Sequence, residues 1–179
     1  MKRILVSFLI LSMMFAFCGC GGKNADVNKI EEQASLGKMP ESEFALGTEI
    51  SVIKNAFSAE DSEQELLVHE GTETVVLSID NFDYHYYKNK EQNGISVIVN
   101  FSNAFGFENG ITMSNEIIEV LGEDYELNAA TEDQLYFLRS ATEGCEVLSY
   151  TYGDYRLEFY FIDYFLAATK LTDTRYWID

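Results

Sequence analysis

Two stretches of this 179-residue chain echo each other, and that repetition limits what the chain can build. Phe44, Ala45, Leu46, Gly47 and Thr48 lead into Ile50, Val52, Ile53 and Phe57, and later Phe107, Glu108, Asn109, Gly110, Ile111 and Thr112 lead into Ile117, Ile118, Val120 and Leu121. Each reads as a turn followed by a helix. Further on, Val76, Leu77, Ser78 and Ile79 with the aromatic run up to Tyr87 are matched by Val147, Leu148, Ser149 and Tyr150 with the run up to Phe159. Both read as hairpins. The first match is offset by 63 positions (Gly47 to Gly110) and the second by 71 (Val76 to Val147), so the later copy carries eight extra residues between helix and hairpin. A surface loop absorbs such an insertion at little cost. A unit of ~60 to 75 residues has a marginal core by itself, so the two copies are expected to pack together.

Local signals place elements inside each copy. Ser114 is placed to cap a helix whose apolar residues Ile117, Ile118 and Leu121 fall on one side, and Gly122 is placed to end it. Thr131 with Gln134 forms a capping-box pattern for a second short helix presenting Leu135 and Leu138, with a strand as the alternative there. Segments 146–152, 155–162 and 165–171 are rich in β-branched and aromatic residues, with Gly153 and Asp154 as a turn. They predict three antiparallel strands. In the middle one, Tyr155, Leu157, Phe159 and Phe161 share a core face, and Arg156, Glu158 and Tyr160 share the other. Segments 75–79, 84–88 and 95–101 do the same in the first copy, with Tyr84 and Tyr86 opposite His85 and Tyr87, and Ile95, Val97, Val99 and Phe101 inward. The expected fold class is α+β: two tandem copies, 44–105 and 106–179, of short helices packed on a small antiparallel sheet.

The first residues carry a targeting signal rather than fold. Lys2 and Arg3 precede an apolar run, 4–17, broken only by Ser7 and Ser12. That run is shorter than the ~20 residues needed to span a bilayer. Phe17, Cys18, Gly19 and Cys20 then resemble the lipobox of bacterial lipoproteins, which places an apolar residue and two small ones before the cysteine that receives lipid. The resemblance implies that 1–19 are removed and that Cys20 joins the chain to membrane lipid on the extracytoplasmic side. Ordinary secretory cleavage is the competing reading. Residues 20–43, polar and containing the single proline, Pro40, read as a tether with a short helix near 27–36 that buries little.

Charge and cysteine content narrow the function classes. Removal of Lys2 and Arg3 leaves ten Lys and Arg against 30 Asp and Glu, a net charge of −20. A chain this acidic repels phosphate backbones and anionic lipid headgroups, which argues against a nucleic-acid partner. After processing, Cys145 is the one remaining thiol, and it reads as a packed residue. His69 and His85 are too few for a paired metal site, and Glu60, Asp61, Glu63 and Glu65 lack the ligand alternation and central glycine of a calcium loop. No phosphate-binding glycine loop or nucleophile elbow occurs. The expectation is a non-enzyme without cofactor or metal.

The start at Gly110, Ile111 and Thr112, the helix end at Val120, Leu121 and Gly122, then Leu148, Ser149, Tyr150 and the strand 155–161 resemble the β-lactamase-inhibitor-protein-like fold, a unit shared with small outer-membrane assembly lipoproteins. The resemblance covers 44–179 as two copies and implies a protein-binding or assembly module that uses an exposed sheet face. By alternation that face carries His85, Tyr87, Arg156, Glu158 and Tyr160, the expected contacts for another extracytoplasmic protein. The alternative is a small molecule or cell-wall fragment held in a groove between the copies.

Overall fold

The structure, a computed structural model, describes residues 25–57, 63–69, 72–87, 94–131, 134, 138 and 144–176. Among these residues three helices, α1 (Val27–Ser35), α2 (Ile50–Ala56) and α3 (Ser114–Leu121), accompany eight strands. The strands are β1 (Glu63–His69), β2 (Thr72–Ile79), β3 (Phe82–Tyr87), β4 (Val97–Asn100), β5 (Glu126–Ala129), β6 (Glu146–Tyr152), β7 (Tyr155–Ile162) and β8 (Phe165–Asp173). They form one antiparallel sheet in the order β1-β2-β3-β4-β8-β7-β6-β5. The two halves therefore join strand to strand, through β4 against β8, with Val97 opposite Thr172 and Asn100 opposite Thr169. Pairing those two strands satisfies backbone groups that would otherwise be left at two open edges.

β6 and β7 lie within the bounds predicted from alternation, and β8 runs two residues past them. β1 and β5 were not foreseen, so each half has four strands rather than three among the described residues. His69 ends β1, and Glu63 and Glu65 stand in that strand, whereas Glu60 and Asp61 lie outside the described residues. Ser114 is the first residue of α3 rather than its cap. Met113 holds the cap position, and its N–H donates to Glu116 Oε2 at 2.9 Å. Gly122 ends α3 at φ +86, as expected of a glycine there. At Thr131 and Gln134 each backbone N–H donates to the other's side chain, at 3.1 and 3.2 Å, so the capping box forms.

The stretch expected to be a loose tether is packed from Ala25 onward. Asp26 Oδ1 accepts the Asn28 N–H at 3.1 Å and starts α1. Ile30 and Ala34, one helical turn apart, are buried against the sheet with Met39. Two well-placed apolar residues suffice, because a helix end-on in sequence composition can still bury one narrow stripe. Gly37 lets the chain turn back: its φ is +66, and a Cβ there would lie 3.1 Å from both Leu46 and the Tyr155 ring.

The main core lies between these helices and one face of the sheet. Leu77, Tyr84, Tyr86, Ile98, Leu148, Tyr150, Leu157, Phe159, Phe161 and Leu171 come from the strands, Ile53 from α2 and Ile117 from α3. Phe107, in the loop joining the halves, meets Phe159 edge-on at 5.6 Å, and each such ring fully buried contributes roughly 1.5 to 3 kcal/mol. A second, smaller cluster occupies the opposite face: Tyr87, Val97, Val99, Val147, Tyr160 and Ala168, with Cys145 and Leu138. Val97, Val99 and Phe101 therefore do not share a face with Ile95 as expected. The cause is an irregularity where β4 begins. Ser96 donates to the His85 carbonyl at 2.9 Å while Val97 is the residue paired with His85, so one extra residue reverses the alternation.

Candidate functional site

The five residues expected on a solvent-facing sheet surface do share the second face, but that face is covered. His85, Tyr87, Glu158 and Tyr160 are buried, and only the Arg156 side chain keeps partial exposure, at 28%. Alternation assigned the face correctly and said nothing about what lies over it. Ala130 and Leu138, from the chain between β5 and β6, pack into this cluster with Cys145. Cys20 lies outside the described residues.

The five do not converge on one site. Arg156, Glu158 and Tyr160 are neighbours along β7, whereas His85 lies on the same cross-strand row as Arg156 but three strands away, about 14 Å at ordinary strand spacing. The residue that completes the β7 group is Lys170, directly opposite Glu158 on β8. Lys170 Nζ sits 2.9 Å from Glu158 Oε2, with both side chains at 0% exposure, and Arg156 Nε lies 3.6 Å from Glu158 Oε1. The ammonium also stands over the Tyr160 ring at 5.9 Å from its centre. Burial pulls the Lys170 pKa down, and the Glu158 carboxylate opposes that pull. Burial pushes the Tyr160 hydroxyl well above its usual value, reinforced by the Glu158 charge. Cys145 is likewise pushed up by burial, which keeps it a thiol at neutral pH. Two closed-in opposite charges and a protonated phenol fit a structural clamp between β7 and β8. Lys170 escaped sequence reasoning because its neighbours Thr169 and Leu171 read as ordinary strand residues, and pairing to Glu158 exists only in the folded register.

Accessible apolar side chains are found elsewhere: Leu36 and Val52 are exposed, and the others fall in two places. At the β5 edge of the sheet, Tyr125 and Leu127 are exposed; the whole of β5 is exposed and, among the described residues, pairs only with β6. The Tyr125 ring lies 6.2 Å from that of Tyr150, whose hydroxyl donates to the Gly122 carbonyl at 3.0 Å. At one end of the sheet, Ile111, Met113, Tyr164 and Phe165 stand out around the β7-β8 turn. Tyr164 occupies a turn position usually held by Gly or Asn, a departure from turn chemistry that the sequence reading did not use. Two grooves flank α1: one of about 430 Å³ against the loop that joins the halves, lined by Lys29, Gln33, Asn103 and Glu108 among others, and one of about 610 Å³ against the β6-β7 turn. Among the described residues, no group of three or more His, Cys, Asp or Glu is placed to hold a metal, and no helix is long and apolar enough to cross a membrane.

No family model matches this chain, and no curated protein matches it. Among solved structures, it is similar to a DUF4309 family protein, YjgB, from Bacillus subtilis subsp. subtilis str. 168. The two agree at a TM-score of 0.53 with 15% identity, over 82% of this chain and 95% of that one. Likeness at that identity is a likeness of fold: a small antiparallel sheet with short helices.

Proposed function

We propose that this chain is a lipoprotein, anchored through Cys20 on the extracytoplasmic side of a membrane, whose folded part binds another protein and catalyses nothing. The single observation that carries the binding half is the edge at β5, where Tyr125 and Leu127 flank a row of backbone groups with no strand beyond them among the described residues. An extended segment of a partner adds to such an edge through main-chain hydrogen bonds, and the exposed aromatic and aliphatic side chains supply contact area. The lipobox at Phe17, Cys18, Gly19 and Cys20 supports the anchoring half. The buried face of β3 and β7 is set aside as the contact surface, because His85, Tyr87, Glu158 and Tyr160 have almost no area to offer.

The halves are read as tandem copies of a β-lactamase-inhibitor-protein-like unit. Each runs helix, then four strands, with α2 before β1 to β4 and α3 before β5 to β8. Tyr84 and Tyr86, counted from the β2-β3 turn, hold the positions that Leu157 and Phe159 hold from the β6-β7 turn, and all four enter the main core. That correspondence supports descent from one unit.

Photo-crosslinking from position 127 in intact cells tests the binding reading. A stoichiometric protein adduct is expected, and Tyr125→Ala or Leu127→Asp should weaken binding of that partner by ~1 to 3 kcal/mol while leaving the denaturation midpoint in place. No adduct, together with melting that responds to a cell-wall fragment, would favour the small-molecule reading and the groove beside α1.

A further inference from the structure

Four apolar side chains project together from one end of the sheet. Tyr164, at the tip of the β7-β8 hairpin, is 75% exposed, and Phe165, Ile111 and Met113 beside it are exposed as well. Backbone pairing holds them as one patch: Met113 bridges to Phe165, the Leu166 N–H donates to the Thr112 carbonyl at 2.9 Å, and the Gly110 N–H donates to the Leu166 carbonyl at 2.7 Å. The tip is conformationally costly. Asp163 and Tyr164 have φ of 50 and 74, a left-handed pair for which Asn-Gly is the easy choice, so the aromatic at position 164 is not there to make the turn.

The anchored end of the chain leaves the fold at this same end. The turn that follows α1 meets Tyr155, at the end of β7 far from Tyr164: a Cβ at Gly37 would lie 3.1 Å from the Tyr155 ring. Asp26, at the start of α1, lines one groove with Gln33 and the loop 103–108, and that loop runs on to Gly110 and its bond to Leu166. Ala25 is already packed on the main core. Only four residues lie between it and Cys20, so the two are at most about 18 Å apart along extended chain. The folded part is thus held close to its lipid with the Tyr164 end foremost. A mature charge of −20 gives no attraction to anionic headgroups, so contact at that end must come from apolar and aromatic side chains, and tyrosine favours the headgroup level of a bilayer.

We infer that Tyr164, with Phe165, Ile111 and Met113, rests in the interfacial layer of the bilayer that anchors the chain, fixing the orientation of the fold. The inference rests on lipidation of Cys20. Its test uses the full lipidated chain in phosphatidylcholine vesicles with brominated acyl chains. Two variants lack the single native tryptophan through Trp177→Phe; one carries Tyr164→Trp and the other Asp154→Trp at the opposite end of β7. Tryptophan at 164 is expected to lose about half its emission relative to unbrominated vesicles, and at 154 to lose almost none. Mass measured on the same sample separates two failures. A Cys20 without diacylglycerol would overturn the anchoring and this inference with it, whereas a lipidated chain whose tryptophan at 164 is quenched no more than at 154 would overturn the orientation alone.

Discussion

Replacing Lys170 with Met removes one charge from the centre of the sheet and keeps most of the side-chain volume. In the native fold the Glu158 and Lys170 charges lie 2.9 Å apart with no exposure to water. At an effective dielectric near 20 their attraction is about 6 kcal/mol, against several kcal/mol of lost hydration for each ion, so the intact pair is close to neutral for stability. Loss of one partner is different, because Glu158 then stays buried with its hydration still lost and its main partner gone. Such losses cost about 3 to 5 kcal/mol, and Arg156 at 3.6 Å from the same carboxylate places this one at the lower end, about 3 kcal/mol. Glu158→Met together with Lys170→Met removes both ions and should return stability to within about 1 kcal/mol of the native chain, or above it. The measurement is urea unfolding of the chain beginning at Gly21, followed by far-ultraviolet circular dichroism. With a slope of about 1 to 3 kcal/mol per molar, the single variant's midpoint should drop by about 1 to 3 M. Losses that simply add in the double variant, or a single-variant loss below about 1 kcal/mol, would refute the account of a buried pair whose members depend on each other.

Phe159→Ala should cost about 3 to 5 kcal/mol, since the ring is fully buried between Phe107 and Tyr150, and the same urea titration reads it. Cys20→Ala should leave the precursor uncleaved or release the protein from membranes, and an unchanged mass and membrane partition would exclude lipidation at this residue. Alkaline pH should destabilise the fold. Burial raises the folded pKa of Tyr84, Tyr150 and Tyr160, and that of Tyr152 to about 12, so the unfolded chain releases these protons first, and the stability they contribute is full below about pH 10 and is lost above it. Tyr152→Phe should flatten that loss between pH 10 and 12 in a melting series. Lys170 acts with the opposite sign, because its folded pKa is depressed and its contribution rises with pH up to the unfolded value. Tyr164→Gly should stabilise by about 1 kcal/mol through relief of the left-handed backbone, a gain visible in the melting temperature, and a loss instead would mean that the exposed ring packs within the fold.

Periodicity located much of this architecture because a strand with one face in the main core must alternate. Leu157, Phe159 and Phe161 against Arg156, Glu158 and Tyr160 could be sorted from the sequence, and the bounds of β6 and β7 followed. The chemistry of turns and caps was equally local, which is why Gly122 and the pair Thr131 and Gln134 behaved as expected. β1 and β5 escaped because an edge strand can be short or polar: Glu126, Leu127, Asn128 and Ala129 are all exposed, and no face of them must be apolar.

The candidate site was legible only as a set of residues sharing a face. Whether a face meets water depends on what the chain lays over it, and Ala130, Leu138 and Cys145 reach Tyr160 from other parts of the sequence. Which charge neutralises Glu158 depends on the register of β7 against β8, a choice made by the whole sheet. The alternation of apolar positions is a property of neighbours in sequence, and the sequence determined it alone. Cover, register and the joining of the halves through β4 and β8 are contacts between distant residues, and only the tertiary structure, which closes those loops at an entropic cost, decided them.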